Sequence, residues 1–253
     1  MKKQMAFKKH IPNTITCCNL LSGCAATLAA LQHEFLWAFL LIVLGAVFDF
    51  FDGFAARLLK VSSPIGKELD SLADDITFGF APAAVVFSLL QEIVDPANIH
   101  ASCPLSGIAE LEYIPYLAFL IAAFSALRLA KFNIDERQAT SFVGLPTPAN
   151  ALFWSSLALS LVKEGIYAQT WLLYVIVPGI FLSCWILVAE IPMFALKFKN
   201  FQFKGNILRY VFILCSLPLL VAFRWLGFAV VILFYIMMSV VTNIIGTKVV
   251  EEE

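Results

Sequence analysis

The sequence predicts an all-α bundle of membrane-spanning helices. Hydrophobic residues make up 61% of the chain and charged residues only 14%, and the mean hydropathy is +0.87. An average soluble domain is about half apolar and about one quarter charged. The apolar residues also fall into runs of about 20 residues, which is the length that a helix needs to cross the hydrocarbon core. We therefore expect a single polytopic membrane domain over residues 1–253.

Eight apolar segments of this kind occur along the chain and predict eight transmembrane helices. Their predicted bounds are 14–32, 35–58, 67–91, 113–132, 146–163, 170–192, 207–223 and 226–246. The first ten residues, MKKQMAFKKH, include four lysines and precede Pro12. This pattern predicts a short basic amphipathic helix over residues 1–12 that lies on the membrane surface.

The basic residues predict how these helices are oriented. With the N-terminus inside, 15 of the 17 Lys and Arg residues fall in inner loops or termini, and only Lys163 and Arg224 lie outside. The longest outer loop, about 92–112, contains acidic residues and no Lys or Arg. Positive charge accumulates on the cytoplasmic side of membrane proteins. We therefore expect a multi-pass protein of the cytoplasmic (inner) membrane with its N-terminus in the cytoplasm.

Five aspartates stand in the second and third predicted helices, although an ionised side chain in a membrane helix costs about 2.5–3.5 kcal/mol even on lenient scales. They are Asp49, Asp52, Asp70, Asp74 and Asp75. Asp49 and Asp52 share one helical face, and Asp70 and Asp74 share another. If the two helices are neighbours, these four carboxylates converge near the cytoplasmic surface. Hard oxygen ligands in that number suit Mg²⁺ or Mn²⁺, and we expect two ions. Asp75 points about 100° away from Asp74, so a supporting charge and a metal contact both remain open for it.

The residues around the aspartates favour a phosphate-containing ligand. Gly53 and Ala56 lie on the face of Asp49 and Asp52, where small side chains let a ligand approach the backbone. Arg57 lies at the membrane surface, where a guanidinium can hold phosphate. Ion-coupled transporters also bury aspartates in membrane helices, but transport gives no reason for Gly53, Ala56 and Arg57 to stand at these positions.

The complete spacing is more specific than any one residue. Asp52-Gly53-x-x-Ala56-Arg57, eight residues, Gly66, three residues, Asp70, three residues and Asp74, with the earlier Asp49, resembles the signature of the CDP-alcohol phosphotransferase family. Three further segments resemble a bacterial branch of that family that forms phosphatidylserine. They are Ile11-Pro12-Asn13 with Thr16, Asn19 and Gly23, then residues 127–133, and then residues 142–149. The resemblance covers residues 11–150 approximately, so we expect catalytic helices over 13–150. Residues 151–253 would form the remaining transmembrane helices, and packing is the expected role of the last three.

The resemblance implies a reaction and a set of site residues. CDP-diacylglycerol and L-serine would give phosphatidylserine and CMP, with the acyl chains in the membrane lipid. Two divalent cations would be bound by Asp49, Asp52, Asp70 and Asp74. Asp74 would also be the general base. The cytidine nucleotide and the lipid phosphates would contact Asn13, Thr16, Gly53, Ala56, Arg57, Ser63 and Gly66.

Recognition of serine is less clear from the sequence. Arg128 is the candidate for binding the serine carboxylate, followed by Lys131 and Asn133, but Arg128 and Lys131 could equally extend to lipid phosphates. Glu190 could contact substrate or merely a helix end. A related enzyme that uses glycerol 3-phosphate would need the same aspartates, so this alternative stays open. We expect no nucleic-acid partner, and a homodimer is compatible with the sequence.

Overall fold

The computed structural model describes residues 2–95, 109–134, 142–167, 169–194 and 206–244. These ranges are almost entirely helical. The α-helices are α1 (Lys2–Leu31), α2 (Phe35–Leu59), α3 (Pro64–Asp74), α4 (Ala81–Val94), α5 (Phe119–Ile134), α6 (Thr147–Lys163), α7 (Leu173–Val188), α8 (Ile207–Phe223) and α9 (Leu226–Ile244). A π-helical turn, Asp75–Phe80, joins α3 to α4 without a break, and 3-10 turns, Ala109–Ala118 and Thr170–Leu172, precede α5 and α7.

The predicted all-α polytopic bundle is confirmed. Within the described ranges, six helical spans are long and apolar enough to cross a membrane: His10–Leu31, Phe35–Leu59, Pro64–Val94, Leu111–Ile134, Thr170–Val188 and Leu226–Asn243. The other two predicted segments coincide with α6 and α8, which have 17 residues each. Eight is therefore an approximate number of membrane crossings.

The basic N-terminal segment differs from its prediction. It forms the first turns of α1, which runs through Pro12 to Leu31, and it is not a separate helix. Proline removes one backbone hydrogen bond, but membrane helices tolerate it where side chains and neighbouring helices compensate. Here the hydroxyl of Thr16 donates to the Pro12 carbonyl at 3.1 Å, and α1 packs along α2 and α3.

The span that contains α3 and α4 is the central helix of the bundle. In its most apolar stretch of 18 residues, 72% of the residues are buried. The corresponding stretches of the other five spans are 22–39% buried. The main core surrounds α4 and includes Phe39, Phe78, Leu89 and Trp154. A second cluster joins the end of α7 to α8 and α9 through Leu145, Leu187, Met193, Phe212 and Tyr235. The aspartates of α3 are therefore carried by the most enclosed helix.

A short antiparallel pairing is the exception to the all-α prediction. Strand β1 (Phe142–Val143) pairs with β2 (Pro192–Met193). The predicted helix over 170–192 consequently ends early, at Val188, because Ala189 turns to an extended conformation (ψ 142°) and the chain continues into β2. Helix α9 fixes this segment from the other side, since the Asn243 amide donates to the Pro192 carbonyl at 2.6 Å.

The π-helical turn lies against α1 directly after Asp74. The Thr77 hydroxyl donates to the Asn19 carbonyl at 3.0 Å. A β-carbon placed on Gly23 would lie 2.8 Å from the Cα of Thr77, so the two backbones are in direct contact. Short π-helical segments are rare and occur often at functional sites. Here the π-helical segment directs Thr77 toward α1, about one helical turn beyond the aspartates.

Candidate active site

A tight turn places the end of α2 beside the start of α3. Lys60 adopts a left-handed conformation (φ 52°), and its backbone N–H reaches the carbonyls of Ala56 and Arg57. Ser63 then caps α3, because its hydroxyl oxygen accepts the N–H of Gly66 at 3.0 Å, and Pro64 occupies the first helical turn. These are ordinary helix-stop and helix-start signals. The turn brings the two pairs of aspartates to the same end of the bundle.

Three of the four aspartates form one cluster. Asp49, Asp70 and Asp74 each offer a carboxylate oxygen, and these atoms lie within 4.8 Å of one another. Asp52 stands beside them with 5% exposure, and its carboxylate accepts the Thr16 hydroxyl at 2.6 Å. Asp52 interacts electrostatically with each of the other three. The helical spacing thus brings three of the four carboxylates into one cluster, and Asp52 lies next to it.

The cluster has little compensating positive charge within the protein. Among the described residues, no lysine or arginine lies within ion-pairing distance of these four carboxylates. Neutral groups donate to the carboxylates instead: the Asn19 amide donates to Asp74 at 3.1 Å, and the Thr16 hydroxyl donates to Asp52. Several carboxylates in a membrane helix bundle require a counter-charge. An all-oxygen donor set of this kind fits hard divalent cations.

A cavity of about 250 Å³ opens next to Asp52 and Asp70. Its walls come from residues 12–16 of α1, the last turns of α2, the turn that follows α2 and the start of α3. The lining residues are Pro12, Asn13, Thr16, Asp52, Gly53, Ala56, Val61, Ser62, Ser63, Gly66, Lys67 and Asp70. Six of the seven residues predicted to contact the nucleotide or its phosphates therefore line one cavity.

Two glycines keep this cavity open. A β-carbon on Gly66 would lie 3.0 Å from both the Asn13 amide oxygen and the Ser63 hydroxyl. A β-carbon on Gly53 would lie 3.3 Å from a terminal nitrogen of Arg57. The seventh predicted residue, Arg57, is thus folded back over Gly53 at the rim, where its guanidinium interacts with Asp52.

The three residues predicted to bind serine have different surroundings. Arg128 is buried, with 7% exposure. Its guanidinium carbon lies 5.4 Å from the centre of the Phe132 ring, and its charge interacts with that of Asp74. Lys131 is exposed and its ammonium donates to the Val188 carbonyl at 3.4 Å. The Asn133 amide donates to the Ser71 hydroxyl at 2.8 Å. Arg128 is the one of the three that approaches the aspartates.

The structure also places residues that the sequence did not assign. Asp75 is absent from the three-carboxylate cluster; its Oδ1 is buried, has no hydrogen-bond partner and faces Gly79. Glu190 is exposed just beyond α7. Sequence reasoning missed Lys67, which lines the cavity and donates to the Asn133 carbonyl at 3.1 Å. Its position directly after Gly66 was the signal available for it.

The fold and the site define a class of protein. The family model described as CDP-alcohol phosphatidyltransferase matches residues 9–196. The chain belongs to this family. The match includes every residue of the cluster and the cavity, and it ends before α8.

Several curated relatives carry one name, CDP-diacylglycerol–serine O-phosphatidyltransferase. The relative from Bacillus subtilis is 36% identical over 140 residues, which cover 55% of this chain and 70% of that protein. The one from Mycobacterium leprae is 32% identical over 167 residues, covering 64% of this chain and 52% of the relative. The one from Helicobacter pylori is 32% identical over 143 residues, covering 56% of this chain and 54% of that relative. The chain thus matches about half the length of the last two.

Proposed function

We propose that the protein transfers the phosphatidyl group of CDP-diacylglycerol to the hydroxyl of L-serine, releasing CMP and forming phosphatidylserine. The observation that carries this proposal is the cluster of Asp49, Asp70 and Asp74 beside a cavity built from the family signature. The names of the three relatives support serine as the acceptor. Membership of the family argues against the ion-coupled transporter.

Asp49, Asp52, Asp70 and Asp74 would hold two divalent cations, Mg²⁺ or Mn²⁺. Bound there, the cations supply positive charge that neutralises the diphosphate and the departing CMP. The protein keeps the ligands in place through neutral donors, because Thr16 holds Asp52 and Asn19 holds Asp74. Such outer contacts orient ligating carboxylates and tune their affinity for metal.

The cavity between α1, α2 and α3 would receive the cytidine nucleotide. Gly53, Ala56 and Gly66 leave room against the helix backbones. Asn13 and Ser63 present polar atoms on one wall, and Arg57 closes the rim with a guanidinium suited to phosphate. The acyl chains would remain in the lipid next to the bundle. In this arrangement the cavity would face the cytoplasm, with the N-terminus on the same side. A homodimer would form through helices away from the cavity.

Asp74 would be the general base. The serine hydroxyl oxygen attacks the phosphorus that carries the diacylglycerol, the bond from that phosphorus to the CMP oxygen breaks, and Asp74 accepts the hydroxyl proton. Proton transfer to a positioned carboxylate contributes about 10²–10⁴-fold in such reactions. The amide of Asn19 fixes one oxygen of Asp74 at 3.1 Å, which leaves the other oxygen for the substrate.

Arg128 would bind the carboxylate of serine. It is buried, and its charge interacts with Asp74, so a carboxylate held by its guanidinium lies close to the base. Arginine binds carboxylates through two parallel hydrogen bonds, which also fixes their orientation. Lys131 and Asn133 donate hydrogen bonds to Val188 and Ser71. They would therefore affect serine binding only indirectly, through the shape of the site.

A CMP-release assay tests the proposal. The full-length protein, purified in detergent, is supplied with CDP-diacylglycerol and Mn²⁺ or Mg²⁺, and CMP release is compared between serine and glycerol 3-phosphate. We expect release that depends on serine and on the divalent cation. Release with glycerol 3-phosphate in preference to serine would assign the protein to a sibling reaction. No release with any alcohol would overturn the proposed activity.

A further inference from the structure

Lys67 is a cationic residue of the nucleotide cavity to which the family signature assigns no role. It stands between Gly66 and Asp70, two residues of that signature, in the first turn of α3. Among the described residues that line the cavity, it is the only lysine or arginine. Arg57 lies at the rim instead, where its charge interacts with Asp52. Lys67 therefore supplies the positive charge of the cavity wall itself.

The end of α5 holds the ammonium of Lys67 in place. Its Nζ donates to the backbone carbonyl of Asn133 at 3.1 Å. The Asn133 amide in turn donates to the Ser71 hydroxyl at 2.8 Å, and that hydroxyl donates to the Lys67 carbonyl at 3.3 Å. This closed set of hydrogen bonds joins one turn of α3 to the last turn of α5. It restricts a side chain that would otherwise rotate freely in solvent.

The ammonium still has N–H groups to offer to a ligand. A lysine ammonium carries three of them, and the Asn133 carbonyl accepts one. Asp70 lies three residues further along α3, yet among the described residues there is no ion pair between Lys67 and a carboxylate. A cation that is kept beside a cavity without an anionic partner favours an anionic ligand there.

We propose that Lys67 binds a phosphate group of the nucleotide in the cavity. One N–H stays on the Asn133 carbonyl, and the other two donate to phosphate oxygens. This inference rests on the proposed function for the identity of the nucleotide. It adds a second cationic group to the one already assigned, so that the diphosphate is held from both sides of the turn, by Arg57 from α2 and by Lys67 from α3.

The test is Lys67→Met, which removes the charge and keeps the length of the side chain. We expect the Kd for CMP, measured by calorimetry on the full-length protein with Mg²⁺, to rise about five- to tenfold, together with the KM for CDP-diacylglycerol. The change is modest because Lys67 is exposed. The KM for serine should stay close to the wild-type value.

Two further lysine variants serve as controls. Lys67→Arg keeps the charge and should retain most of the affinity for CMP. Lys60→Met removes an exposed lysine of the neighbouring turn that does not line the cavity. It should change neither the Kd for CMP nor the KM for CDP-diacylglycerol.

Ser71→Ala separates phosphate binding from a structural role. It removes the hydrogen bond from Asn133 and leaves the lysine charge in place, so the Kd for CMP should not change. If Ser71→Ala weakens CMP binding as much as Lys67→Met does, Lys67 acts only by joining α3 to α5 and the inference is wrong. Equal CMP binding by the wild type and Lys67→Met would also overturn it, as would a wild type that does not bind CMP. A wild type that binds CMP through Lys67 but releases none with serine would leave the inference standing and remove the proposed function.

Discussion

The nucleotide side of the candidate active site is assembled from neighbouring sequence, whereas the acceptor side is assembled from distant helices. Asp52, Gly53, Gly66 and Asp70 face one cavity because a single capped turn reverses the chain between α2 and α3. Arg128, the candidate for binding serine, comes near Asp74 only because α5 packs against the π-helical turn that follows α3. The first side therefore carries a signature that can be read along the chain, and the second does not.

Asp74 belongs to both sides, so its loss should have the largest effect. Asp74→Asn keeps the size of the side chain but removes a negative metal ligand and the proposed base. We expect turnover to fall by about a thousandfold or more, within the range known for general bases and charge-stabilising groups. Nucleotide binding should remain measurable, because the cavity lining is unchanged.

The readouts for Asp74→Asn are CMP release and binding of CDP-diacylglycerol. Asp75→Asn is the matched control, since Asp75 follows directly in sequence yet lies outside the three-carboxylate cluster. It should retain activity within a few-fold of wild type. Full activity in Asp74→Asn would remove Asp74 from the mechanism.

Arg128→Ala should impair recognition of serine and leave the nucleotide side of the site intact. We expect the KM for serine to rise by about ten- to a hundredfold, because a charge-assisted bidentate contact is lost, with little change for the lipid substrate. Lys131→Ala is the control, since Lys131 lies on the same helix but bonds to the Val188 carbonyl. The opposite pattern, a raised KM for CDP-diacylglycerol only, would assign Arg128 to the lipid phosphates.

Thr16→Val should weaken metal binding on the nucleotide side of the site. Its effect should be smaller than that of Arg128→Ala. The hydroxyl of Thr16 donates to Asp52 at 2.6 Å from a buried position. Without it we expect about tenfold more Mn²⁺ or Mg²⁺ for half-maximal activity, as is typical when a partner of a metal ligand is removed. Thr14→Val, on the exposed face of the same helix, should leave the metal requirement unchanged. If Thr16→Val needs no more metal than the wild type, Asp52 does not take part in metal binding.

The contrast between the two sides explains what could be predicted. The aspartate positions follow from helical periodicity. Most predicted helix bounds lie within a few residues of those in the structure, because long apolar runs and local caps determine them. The sequence groups Lys131 and Asn133 with Arg128 because the three residues are close along the chain. Only the packing of α5 against α3 and α7 shows that their contacts are with Ser71 and Val188.

The remaining differences also have tertiary causes. The chain leaves α7 at Val188 because residues 192–193 pair with β1, a partner that is far away in sequence. Helix α1 continues through Pro12 because α2 and α3 pack against it. Such contacts are set by packing and leave no periodic pattern in the chain.

Ser63→Ala should have the smallest effect, because it alters the local turn and leaves both sides of the site otherwise intact. Ser63 caps α3 by accepting the N–H of Gly66, and loss of such a cap costs about 1 kcal/mol. We expect a melting temperature lower by a few degrees and a KM for CDP-diacylglycerol raised a few-fold, since Ser63 also lines the cavity. Ser62→Ala is the control, because Ser62 lines the same cavity without forming the cap. If Ser62→Ala and Ser63→Ala lower the melting temperature equally, the cap does not hold the turn, and the nucleotide side depends on long-range packing as the acceptor side does.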